Sequence, residues 1–236
     1  MSRAKPINIA GQPVGIDLPD WKAPIAPPRE SRIGRWCRIE ALSVARHGAD
    51  LCSANGLDTD ESAWTYLPYG PFATENSYLT WLERQVLSDD PLFFAIIDQA
   101  TGKAVGLASY LRIDPRIGVI EVGHLKFSKL LQKSAVATEA MYLMMKAPFD
   151  LGYRRYEWKC DCLNQPSRQA AERLGFTFEG IFRQATIYKG RNRDTAWYSI
   201  IDREWPAIKA AFEAWLAPDN FDAAGRQRQS LAKLRA

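Results

Sequence analysis

Between Leu92 and Phe127 the chain holds three strand-like runs and almost nothing else. "LFFAIID" (92–98) is continuously apolar, the pattern of a strand buried on both faces. "KAVGLASYLRID" (103–114) follows across the tight turn Thr101-Gly102, and "GVIEVGHLKF" (118–127) follows across "PRIG". Connections this short join antiparallel neighbours, so the three runs form a meander.

After the meander the period changes. "SAVATEAMYLMMKAPFDLG" (134–152) is helical: Ala137, Ala140, Met141, Met144 and Met145 share one apolar face, and Gly152 closes it. "RRYEWKCD" (154–161) reads as a strand and "NQPSRQAAERLG" (164–175) as a helix ended by Gly175. "FTFEGIFRQATIYKG" is a long strand, "KGRNRD" (189–194) a turn, "TAWYSIID" (195–202) a strand, and "REWPAIKAAFEAWLA" a last helix with its proline near the first turn. Upstream, "GRWCRIEAL" is a strand, "SVARHGADLCSA" a short helix and "WTYLPYGPF" (64–72) an aromatic loop. "TENSYLTWLERQVLS" is a helix with Thr74 as its N-cap. The order β-α-α-β-β-β-α-β-α-β-β-α calls for a mixed sheet with helices on both faces.

Composition removes several classes of chemistry. His47 and His124 are the only histidines, which excludes sites built on several of them, and no G-x-S-x-G elbow is present. Cys37, Cys52, Cys160 and Cys162 have neither a disulfide framework nor zinc-knuckle spacing, so no metal is expected and reduced cytoplasmic thiols are. No apolar run approaches the roughly 18–20 residues of a membrane span, and the first fifteen residues lack a signal-peptide core. The net charge of +4 is mild. The basic end "GRQRQSLAKLRA" lacks interleaved aromatics and reads as a solvated helix rather than a nucleic-acid or membrane surface. The division expected is a proline-rich extended arm (1–31), one domain (32–217) and a basic tail (218–236). The arm either lies on a surface or is exchanged with a partner subunit, which is compatible with a homodimer.

The junction "LLQKSAVATEAM" links a strand to a long helix. Unpaired N–H groups and the dipole at a helix start make an anion site, and the small residues there allow close approach of a ligand. A second junction carries Asn164 and Ser167 at the start of the next helix, where both residue types also serve as caps. Two adjacent strand-to-helix junctions open a cleft that an extended ligand can enter.

These residues resemble the GNAT superfamily of acyl-CoA-dependent N-acetyltransferases, in particular its RimJ/RimL-like branch, over about residues 34–205. The likeness rests on "EVGHLKFSKLLQKSAVATEAM", "DCLNQPSRQAAERLGF" and "EGIFRQATIYKGRNRDTAWYSII". The family's turn is Arg or Gln, two residues, Gly, one residue, then Gly or Ala. Here it reads Gln132-Lys133-Ser134-Ala135-Val136-Ala137, with alanine at the middle glycine. The later signature is intact as Asn164, Ser167 and Leu174-Gly175-Phe176.

The resemblance implies a mixed, mostly antiparallel seven-stranded sheet splayed at a CoA cleft. It implies acetyl-CoA as cosubstrate, without a metal, and a small-molecule or peptide amine as acceptor. The N–H groups of residues 132–138, through Thr138, would hold the pyrophosphate. The strand edge at Leu125 and Phe127 would pair with the pantetheine arm, and Asn164 would hydrogen-bond it. Lys133 or Arg168 would meet the 3′-phosphate. For the base, Glu121 is favoured, directly or through water, with His124 as the other candidate. Period-two alternation puts these two on opposite strand faces unless the strand is bulged. Many relatives place a Tyr acid at the position of Ala171, which leaves Ser167 as the group near the sulfur. On the acceptor side, Trp64, Tyr66, Tyr69 and Phe72 would form an aromatic wall. The "YKGRNRD" hairpin, with Tyr188, Lys189, Arg191 and Arg193, would favour an anion near the amine. The two departures at Ala135 and Ala171 also keep open a catalytically silent CoA-binding module.

Overall fold

The computed structural model describes residues 6–235, and its first strand is a dipeptide that the sequence pattern did not reveal. This strand, β1 (Arg32–Ile33), pairs with β2 (Cys37–Ala41). The turn between them is held from the side. The carboxylate of Glu139 accepts the N–H groups of Arg35, Trp36 and Cys37, each at 2.7 Å. A side chain at Gly34 would put its Cβ 2.3 Å from that carboxyl carbon, so any larger residue there would push Glu139 off the turn it holds. The sheet therefore has eight strands, not seven.

The meander forms as β3 (Leu92–Asp98), β4 (Lys103–Asp114) and β5 (Val119–Phe127). Then come β6 (Arg155–Asp161), parallel to β5, and the hairpin β7 (Thr177–Tyr188) and β8 (Arg191–Ile201). The strand order is β1-β2-β3-β4-β5-β6-β8-β7. β8 starts four residues before the expected Thr195. The hairpin turn is only Lys189-Gly190, and both residues have positive φ (48° and 71°), the geometry of a tight two-residue hairpin.

Two cores lie on opposite faces. Phe93, Ala95 and Ile97 of β3 meet α1 (Val44–Asn55) and α2 (Glu75–Val86), while Phe94 and Ile96 join the larger core. That larger core is filled by α3 (Ala135–Asp150), α4 (Gln165–Leu174) and α5 (Trp205–Leu216). The unbroken apolar run of β3 is thus explained by burial on both sides. Thr74 caps α2 as expected, in a capping box with Ser77.

The chain ends differ from expectation in one respect. The basic tail is largely exposed, as expected, but it is also anchored: α6 (Leu231–Arg235) buries Leu231 in the large core, and Asn220 is buried through bonds to the Trp215 and Gln229 carbonyls. Its two apolar anchors, Leu231 and Leu234, pack on the large core at i, i+3 spacing, too short a stripe to stand out in the sequence. The arm's first five residues lie outside the described ones; residues 6–31 run along the surface. Trp21 stacks under the Arg154 guanidinium and fills the space beside Gly118, Pro24 and Pro27 are buried, and Arg29 bonds Ser88 and Asp89.

Candidate active site

β5 and β6 pair from Val119↔Arg155 to Val122↔Trp158 and then part. Beyond that point β6 bonds only β8, and β5 bonds only β4. β5 is also bulged there: Leu107 and Ser109 of β4 face Lys126 and Gly123, with His124 at φ 51°. Splay and bulge open a cleft of about 1710 Å³ that runs from the N-termini of α3 and α4 to the loop 62–68 and the inner face of β8. The bulge also answers the alternation problem, because Glu121 and His124 both line this cleft.

One half of the cleft is made largely of backbone. Ser134 caps α3: its Oγ accepts the Ala137 N–H at 3.0 Å and its hydroxyl donates to the Leu131 carbonyl at 2.6 Å. Gln132 N–H is bonded to Ser128, and Thr138 N–H to Ser134. Among the described residues, the N–H groups of 133, 134, 135 and 136 have no partner. The free donors are therefore four consecutive groups, narrower than 132–138. Ala135 is the first helical residue, so alanine for glycine costs nothing in backbone conformation. The left-handed residue is instead Lys133, at φ 57°. Gln132, Lys133, Ser134, Ala135, Ala137 and Thr138 line the cleft together with Leu125 and Phe127. The Val136 side chain packs into the core and contributes only its N–H.

At the facing junction, Asn164 Oδ1 accepts the Ser167 N–H at 3.1 Å. Ser167 Oγ accepts the Trp158 indole N–H at 3.0 Å, which leaves the hydroxyl proton to donate. Arg168 does not reach the cleft: it donates to Tyr198 Oη and lies over Phe178. Ala171 is fully buried in the large core. The donor set therefore suits a ligand with a pyrophosphate and an amide-bearing arm, the chemistry of CoA.

The other half is made of side chains. Glu121, 2% exposed, accepts two bonds from Arg112 (2.6 and 2.8 Å) and one from Lys159 (3.0 Å). Burial raises its carboxyl above the ordinary range, and Lys159 and Arg112 pull the other way. Lys159 also reaches Glu157 at 2.7 Å and sits 3.7 Å from the Trp197 ring centroid. His124 is stacked on Tyr69 and packed against Phe93. Burial, with Arg112 and Arg193 nearby, pushes its ring down to about 4.

The expected aromatic wall is thinner than the sequence suggested. Tyr66 and Tyr188 line the cleft, but Trp64, Tyr69 and Phe72 do not. Trp64 is 6% exposed and packs edge-on with Tyr69, Phe72 and Tyr78. The cause is a long-range contact: the Lys126 ammonium lies 4.4 Å from the Trp64 ring centroid and 3.8 Å from Asp58, drawing this loop inward. Arg191 points to solvent, and Arg193 enters the cleft instead. Three bonds roof the cleft: Lys189 to the Trp64 carbonyl (2.7 Å), Tyr66 to the Leu163 carbonyl (3.2 Å) and Tyr188 to Asp161 (2.8 Å).

Sequence reasoning missed Arg112, Lys159 and Trp197. A signal existed for one of them. Parallel pairing sets Glu121 beside Glu157, and two adjacent glutamates need a cation, which Lys159 supplies two residues along the same face. That signal becomes legible only once the register is known.

The sequence matches the acetyltransferase (GNAT) domain family over residues 42–177. Its structure superposes with TM-score 0.90 on a GCN5-related N-acetyltransferase from Brucella melitensis, 50% identical, covering 92% of this chain and 99% of that one. An uncharacterized N-acetyltransferase, p20, from Bacillus licheniformis is 29% identical over 48% of this chain and 63% of its own length. The putative ribosomal N-acetyltransferase YdaF of Bacillus subtilis is 27% identical over 46% of this chain. The chain spans less than two thirds of either of those two curated relatives (63% and 59%).

Proposed function

The chain belongs to the GNAT acetyltransferase family, and from that premise we propose that it transfers an acetyl group from acetyl-CoA to a primary amine. The transfer is direct, with donor and acceptor bound together. The observation that carries this reading is the run of four free N–H groups at 133–136 beside the unpaired edge of β5. An anion and an extended amide-bearing chain satisfy both features at once.

The residues then take the following roles. The N–H groups of 133–136 hold the pyrophosphate, the β5 edge at Leu125 and Phe127 pairs with the pantetheine, and Asn164 bonds it. Acetyl-CoA supplies an activated thioester. A free alkylammonium has a pKa of about 10, so the acceptor must lose a proton to react. Glu121 takes it, directly or through water: its carboxyl is raised by burial, and Oε1, with a single bond from Arg112, keeps a lone pair for the task. N–H groups left free on the bulged edge of β5 donate to the oxygen on which charge develops. Ser167, its Oγ already accepting from Trp158, donates a hydrogen bond to the departing sulfur, which leaves as a thiolate because a thiol is the stronger acid of the two.

The acceptor is a small-molecule amine or a peptide N-terminus. The RimJ/RimL-like signature and the likeness to a protein named as a putative ribosomal N-acetyltransferase support including the peptide class. The test is release of CoA thiol from acetyl-CoA across amino acids, dipeptides, polyamines and aminoglycosides. Amine-dependent release is expected. Saturable acetyl-CoA binding with no release from any amine would leave a binding module instead.

A further inference from the structure

β8 turns Arg193, Thr195 and Trp197 toward the cleft by strand alternation. Two of these carry buried polar atoms that nothing satisfies. Arg193 Nε and Trp197 Nε1 have no hydrogen-bond partner among the described residues, and neither does His124 Nδ1 on the facing strand. Arginine and tryptophan are donors only, so what is missing on them is an acceptor.

Arg193 is unusual within the molecule. The other half-buried arginines, 32, 38, 155, 168 and 235, each donate a hydrogen bond within the chain. The Arg193 side chain makes neither a hydrogen bond nor an ion pair among the described residues; it lies 5.7 Å from the Tyr188 ring and near His124. A half-buried cation without a counter-charge is costly to hold unless something arrives to pair with it.

The carboxylates that line the cleft cannot serve. Glu121 is occupied by Arg112 and Lys159. Asp161 accepts the Leu163 N–H at 2.9 Å and the Tyr188 hydroxyl at 2.8 Å. Lys159 is shared between Glu121 and Glu157, which leaves Arg193, among the described residues lining this half of the cleft, as a cation without an anion.

We infer that the acceptor carries an oxyanion, a carboxylate or a phosphate, close to its amine, and that Arg193 receives it, with Trp197 donating to a further acceptor atom of the same molecule. The four-residue step between the two on β8 spans roughly 13 Å of strand, so they engage separate parts of an extended substrate. The inference rests on the cleft being an amine-acetylating site. It makes acidic amines substrates and polyamines poor ones, since a second cation would meet an unpaired guanidinium.

The test uses matched amines that differ only in the oxyanion. Free amino acids are compared with their amides, and phosphoethanolamine with ethanolamine, the two arms separating carboxylate from phosphate. kcat/KM is read by thiol release for the wild-type chain, Arg193→Met and Arg193→Lys. Calorimetric binding of the acidic members is measured in parallel, and acetyl-CoA binding reports on folding. A charge-assisted, partly desolvated bond predicts an acid-over-neutral preference of about 10–100-fold. It should collapse toward unity in Arg193→Met and return only in part in Arg193→Lys. Equal use of acidic and neutral amines by the wild-type chain, or an undiminished preference in Arg193→Met, overturns the inference while leaving acetyl transfer standing. Arg193-dependent binding of an acidic amine with no thiol release does the reverse: the oxyanion site stands and the proposed reaction falls.

Discussion

The two halves of the cleft are built from different materials. The α3/α4 half presents backbone: four free N–H groups, an unpaired strand edge and two helix caps that settle their own neighbours. The β5/β8 half presents side chains, with Glu121 held by two cations and Arg193, among the described residues, by no anion. A backbone site tolerates changes of side chain, which is how Ala135 stands where the family's turn has glycine. A side-chain site depends on every partner being in place. The donor side can therefore stay constant while the acceptor side varies with substrate.

Replacements can break this contrast. The largest effect is expected at Glu121→Gln, which keeps the shape and removes the proposed base. Turnover should drop by about 10²–10⁴-fold, with acetyl-CoA affinity nearly unchanged; stopped thiol release together with weakened acetyl-CoA binding would mean that the two halves are not separable. Ser134→Ala deletes the α3 cap and should cost about 1 kcal/mol in thermal unfolding. The same change leaves the acceptor half untouched, so acceptor KM serves as its control.

His124 gives a pH signature to the acceptor half. Its folded pKa of about 4 lies below the ordinary 6.5, so between these values the unfolded chain binds the extra proton. Stability is therefore lost as pH falls from 6.5 toward 4 and regained as it rises. In Glu121-containing His124→Gln, Tm should vary less across that window than in the wild-type chain; an identical slope would place the titration elsewhere. The smallest effect is expected at Lys133→Gly. Relief of the left-handed strain, about 1 kcal/mol or more, is offset by roughly 0.5–1 kcal/mol of added chain entropy. A Tm within a degree or two of wild type is the expected result.

The same contrast explains what could be read from the sequence. Strand runs, caps and the Asn164–Phe176 signature are local patterns, so the meander, the crossover and the two strand-to-helix junctions were legible, whereas Arg168, turned onto Tyr198, was misplaced in the cleft. The α3 turn was legible too, except that the left-handed residue is Lys133 and the free donors stop at 136. The acceptor half depends on register and on distant contacts. Trp64 and Phe72 look like wall residues until Lys126 and Asp58 draw their loop inward. Arg191 and Arg193 share a face of β8 and differ in position along it: Arg191 is exposed at the hairpin end, while Arg193, two residues further in, lines the cleft. Lys159 needs the β5–β6 pairing to be recognised, and the tail's anchor at Leu231 has only one periodic companion, Leu234.

The central claim is that backbone N–H groups at the start of α3 hold the acyl donor. Ala135→Pro tests it most directly. Proline is well tolerated at the first helical position, and Ser134 already has the extended backbone that a following proline requires. The replacement removes one free N–H and changes little else. Calorimetric titration with acetyl-CoA should show affinity reduced about 10-fold or more, the worth of one hydrogen bond to a charged group, with Tm unchanged. Undiminished affinity in a folded Ala135→Pro chain would contradict the account.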